Sequence, residues 1–156
     1  MRVEWRPAPP VRLHAPPVFR ADCNTPVLGE DGRLLAFPAH FRPIGHSLRR
    51  AGAAPFAFPG PPVPVVIVDD PDPGVGKWIE SVWRAPDGAL YGWYHAERPA
   101  PCPRPITTYA VGALVSHDDG ARWHHLGVVL EPRPDEIDCA FDNGWFAGGY
   151  GDFTVV

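Results

Sequence analysis

Three acidic residues stand in settings where carboxyl groups could act on a substrate: Asp22 in Ala21-Asp22-Cys23-Asn24-Thr25-Pro26, Glu80 in Trp78-Ile79-Glu80-Ser81, and Asp152 in Gly149-Tyr150-Gly151-Asp152-Phe153. The chemistry they suggest is glycoside hydrolysis. One protonated and one ionised carboxyl then flank the scissile bond, roughly 5 to 5.5 Å apart for retention or roughly 6.5 to 9.5 Å for inversion. The separations along the chain are 58 and 72 residues, and Asp22 and Glu80 precede the Asp31-Gly32 and Asp87-Gly88 pairs by 9 and 7 residues. Each acid also has a structural reading. Asp22 before Asn-Thr-Pro can cap a turn, and the glycines around Asp152 equally suit close backbone packing. Glu80 lies in an apolar run, where a buried carboxylate must be paired or functional. Asn24, His46, Trp78 and His95 are the candidates for substrate binding. A lone histidine is more often structural than a ligand, and Trp78, Trp83 and Trp93 are chiefly packing candidates unless an indole is exposed. Arg49 and Arg50 either pair with Asp22 or a charged sugar, or sit in a solvated loop.

Strands must position these side chains. With 22 prolines and 16 glycines in 156 residues, nearly every window long enough for a helix is interrupted. Short β-branched and aromatic runs remain at Val63–Val68, Trp78–Trp83, Leu90–His95 (with His95 at its end), Tyr109–Val115 and Trp123–Leu130, each bounded by a turn signal. The last four read as an up-and-down meander. Glu30–Phe37 recurs as Pro86–Trp93 at an offset of 56 residues, in each case an Asp-Gly turn feeding an apolar strand. Repeats of about 40 to 50 residues holding four strands are typical of β-propeller blades, though Asp-Gly turns occur in any hairpin protein.

Composition excludes several classes. Lys plus Arg number 14 against 18 Asp plus Glu, so no basic field awaits a nucleic acid. The start lacks a secretory apolar stretch and no segment is long enough to span a membrane, which predicts a soluble chain of undetermined compartment, with a secreted parent left open. Cys23, Cys102 and Cys139 have no CxxC spacing, so no metal site is expected from them. Cys102 and Cys139 either pair in an oxidising environment or remain thiols.

Five motifs in order, DCNTP, GHSLRRAG, WIESVW with DGALYGWYH, VGALVSHDDGARWHHLGVVLE and FAGGYGDFTVV, resemble the five-bladed propellers related to arabinanases, invertases and similar furanosidases. Ser116 to Trp123 fits the S-x-D-x-G-x-x-W pattern of the Asp-box of sialidases, a structural turn in which Asp118 is not catalytic. The resemblance implies an all-β, incomplete propeller: an extended segment over 1–21, a first blade over 22–68, a second over 78–131, and the start of a third over 146–156. It implies Asp22 as first-blade carboxylate and Asp152 as tuning or substrate-contacting acid. Glu80 as general acid departs from the family's Asp, Asp, Glu order. The ligand implied is a carbohydrate, with no organic cofactor and room for a structural Ca2+ in the axial pocket. Phe153–Val156 reads as a strand cut in mid-course. A fragment lacking its remaining blades is therefore expected, weakly cooperative and without glycosidase activity alone. The competing reading is a non-catalytic carbohydrate-binding or structural propeller.

Overall fold

The structure is a computed structural model that describes residues 23–41, 44–53 and 58–155. Asp22 and the segment 1–21 lie outside the described residues. The fold is all-β. Strands run β1 (Val27–Glu30), β2 (Arg33–Ala36), β3 (Ala39–His40), β4 (His46–Gly52), β5 (Val63–Pro64), β6 (Val66–Ile67), β7 (Gly76–Arg84), β8 (Leu90–Pro99), β9 (Thr107–Ser116), β10 (Arg122–Leu130) and β11 (Phe146–Gly149). Among the described residues the helical content is one 3₁₀ turn at Pro134–Glu136, and no helix is long and apolar enough to cross a membrane.

The first sheet has the order β1-β2-β4-β3, with β5 added to β4. Its opening hairpin turns at Asp31-Gly32, both left-handed at φ 47° and 72°, the two-residue geometry whose twist matches flanking strands. The second sheet is the meander β7-β8-β9-β10, antiparallel throughout, with β6 parallel to β10. The Val63–Val68 run does not form one strand. Pro64 cannot donate to a ladder, and the run divides: β5 pairs with β4 in the first sheet and β6 with β10 in the second.

Two further expectations are corrected. The segment assigned to the start of a third blade does not open a new sheet, because β11 runs parallel to β9 at Thr107 and Tyr109, beyond the stretch that β10 occupies. No strand forms at Phe153–Val155, and Asp152 just before it adopts φ 47°, which ends the extended course.

One core serves both sheets. Leu35 and Phe37 from the first pack with Ile79, Leu90, Tyr94, Leu114 and Trp123 from the second. Phe37 meets Trp123 edge-on, with centroids 5.7 Å apart. The turn before Trp123 fixes that indole. Ser116 Oγ accepts the Gly120 N–H (2.9 Å), Asp118 Oδ1 accepts the Arg122 N–H (2.8 Å), and Trp123 Nε1 donates to the Gly120 carbonyl (3.0 Å). The bond from Arg122 holds the Asp118 carboxyl down at a pKa of about 2, so it stays ionised above that. At the seam, Lys77 N–H donates to the Gly45 carbonyl, Ile79 N–H to Ser47 Oγ and Trp78 Nε1 to the His40 carbonyl. β7 is thereby fixed against the first sheet. The Cys102–Cys139 disulfide ties the loop after β8 to the segment leading into β11, which resolves the pairing left open by the sequence.

Candidate functional site

Glu80 sits at a β-bulge. The pairing of β7 with β8 steps from Ile79 opposite Tyr94 to Ser81 opposite Trp93, leaving Glu80 as the extra residue, and such bulges re-aim a side chain. Its side chain is 0% exposed, so the cost of burying a carboxylate must be offset by partners. His95 Nδ1 lies 2.6 Å from Oε1, and the Asn24 N–H donates to Oε2 at 3.0 Å. With a neutral ring, Nδ1–H donates to the carboxylate and Nε2 is left as the acceptor.

His95 is in mid-strand opposite Trp78, not at a turn, because β8 continues to Pro99. Trp78 stacks on its ring (centroids 5.0 Å apart, planes 28° apart), and Tyr109 contacts it at 5.8 Å. Its Nε2 lies 4.0 Å from Glu97 Oε1. Burial pushes the Tyr109 phenol above its ordinary pKa, and the Glu97 carboxylate adds to that shift.

Segments distant in sequence close over this pair. Asn24 Nδ2 donates to the Phe153 carbonyl (2.8 Å) and Ser81 Oγ to the Val155 carbonyl (3.2 Å), so residues 24 and 153–155 are tied to each other and to β7. Gly149 permits the approach: at φ 118°, a Cβ there would lie 2.3 Å from the Tyr109 carbonyl oxygen. Cys23 and Asp152 are thereby brought to Glu80 and His95. One donor atom from each of the four lies within 4.8 Å of the others, with Glu80 and His95 buried, Cys23 half-buried and Asp152 exposed. A thiol, an imidazole and two carboxyl groups thus form a layered polar site, suited to proton exchange, hydrogen bonding or cation coordination.

Of the sequence candidates, Glu80, Asp152, His95 and Asn24 come together, and Asp22 lies outside the described residues beside Cys23. Trp78 is present as packing: an indole in a residue 4% exposed has no open face for a sugar. His95, 3% exposed, is committed to Glu80 and likewise does not face solvent. His46 is directed elsewhere. Its Nδ1 lies 2.7 Å from the Ile44 carbonyl, and it lines a cavity of about 230 Å³ with Asp70, Lys77 and Tyr94. Arg49 donates to the Asp119 carbonyl (2.6 Å) and Arg50 to the Phe58 carbonyl (2.8 Å), so both brace loops.

The sequence set aside a metal role for Cys23 for want of CxxC spacing, and its place between Asp22 and Asn24 was the only other signal it carried. It also missed buried Lys77, whose Nζ lies 2.8 Å from Asp70 Oδ1. No protein-family model matches the chain, and no curated protein matches it.

Proposed function

We propose that this chain is part of a glycosidase-like β-propeller and that it binds a carbohydrate at the Glu80–Asp152 site. The observation that carries the reading is convergence: carboxyl groups 72 residues apart lie within 4.8 Å, together with the neighbour of Asp22. In this reading exposed Asp152 contacts the sugar hydroxyls, Glu80 is the acid and Asp22 the base. The four-stranded meander β7–β10 supports a blade, and the Ser116–Trp123 turn, with its Asp118 and Ser116 bonds, resembles an Asp-box. The Cys102–Cys139 disulfide supports an oxidising compartment.

A specific observation favours a second reading, a carbohydrate-binding module without hydrolysis. A general acid must reach the glycosidic oxygen, and the Glu80 side chain is 0% exposed. Titrating the full chain with aryl pentofuranosides and aryl hexopyranosides, by calorimetry and by release of the aryl group, separates the two. Saturable binding is expected, weakened about tenfold by Asp152→Asn through loss of a charge-assisted hydrogen bond. Aryl release that disappears in Glu80→Gln establishes the enzyme. Binding without release establishes the module, and no binding to any glycoside overturns both.

A further inference from the structure

We propose that Cys23, Glu80, His95 and Asp152 form a site for one divalent transition-metal ion of the Zn2+ class. The proposal shares Glu80 and Asp152 with the carbohydrate reading but rests on the donor set and its geometry rather than on sugar chemistry.

Geometry comes first. A tetrahedral ion with bonds of about 2.0 to 2.3 Å holds its donors roughly 3 to 4 Å from one another. Four donors within 4.8 Å of one another come close to that spacing. Glu80 and His95 come from adjacent paired strands, and the bulge turns Glu80 toward the imidazole. The Asn24 N–H occupies Glu80 Oε2, leaving Oε1 directed at His95 Nδ1, where an ion would replace the hydrogen the two now share.

Donor chemistry sets the class of ion. A thiolate and an imidazole beside two carboxylates favour Zn2+, Co2+ or Fe2+ over Ca2+ and Mg2+, which prefer oxygen-only shells. The surroundings suit a ligating histidine. Its ring is held between Trp78 and Tyr109, which fixes its orientation beside Glu80. Asp152 is exposed and Cys23 half-buried, so an ion would approach the two buried ligands from their side.

With Cys102 and Cys139 joined, a cobalt–thiolate signal reports on Cys23 specifically. The oxidised full chain, stripped with a chelator, is titrated with Zn2+ and Ca2+ by calorimetry and with Co2+ by absorption. One ion per chain is expected, with a thiolate-to-cobalt charge-transfer band and Zn2+ preferred over Ca2+ by about 100-fold or more. Cys23→Ser should abolish the band and weaken Zn2+ by about 100-fold, and Asp152→Asn should weaken it by about tenfold. Both variants lie outside the core, and circular dichroism verifies their fold. Absence of Zn2+ binding by the native chain, unchanged affinity in Cys23→Ser, or equal affinity for Ca2+ overturns the proposal. Sugar titration of the chelated chain tests the carbohydrate reading separately.

Discussion

Glu80 and His95 are each other's principal partner in a place water does not reach, so neither can be removed without stranding the other. His95→Ala leaves a buried carboxylate with one backbone donor and should cost about 3 to 5 kcal/mol in urea unfolding. Glu80→Gln, which retains an oxygen for Nδ1–H, should cost distinctly less. Equal losses in the two variants would show that packing of the ring, not the charge, holds the pair. At this scale the sequence was partly legible. A carboxylate inside Trp78-Ile79-Glu80-Ser81 announces a need for a partner, but which histidine answers depends on strand register, and that is fixed by a bulge no local pattern displays. Trp78 was visible as an aromatic near the acid. Its burial against His95 comes from the pairing across β7 and β8, which turned a candidate sugar platform into a wall of the site. Cys23 escaped because metal reading from sequence relies on ligands at short fixed spacing, whereas these four come from separate elements.

Strand positions were legible where an apolar run abuts an Asp-Gly turn, as at the end of Trp78–Trp83 and the start of Leu90–His95, and less so at proline-rich ends. Pro99 still closes β8 opposite Thr107, because a proline is tolerated at a strand terminus. What the runs lacked was any mark of their partners, so the split of Val63–Val68 between two sheets and the parallel docking of β11 on β9 emerge only in three dimensions. The Cys102–Cys139 link encloses a span of 37 residues and should contribute about 4 kcal/mol by restricting the unfolded chain. Reduction should therefore lower the urea midpoint and, first of all, speed amide exchange at Ala147 and Thr107, whose strands it holds together. If exchange there is unchanged while the midpoint falls, the bond acts on the unfolded chain only.

The all-β class was readable from composition and punctuation, but the relation between the two sheets was not, since it depends on contacts between residues far apart in sequence. Weak cooperativity follows from sheets that merely adjoin. A core in which Phe37 lies against Trp123 argues instead for a single transition. Phe37→Ala should cost about 3 to 5 kcal/mol and shift tryptophan fluorescence and far-ultraviolet dichroism to the same lower midpoint. Two separate midpoints would restore the picture of independent units. The five residues from Val63 to Ile67 carry a mechanical meaning as well. Because they are hydrogen-bonded to β4 at one end and to β10 at the other, they act as a clasp. The sheets cannot swing apart like the covers of a book unless that clasp is unzipped, so the residues lying over Glu80 and His95, not a hinge between the sheets, are the natural place for that site to open.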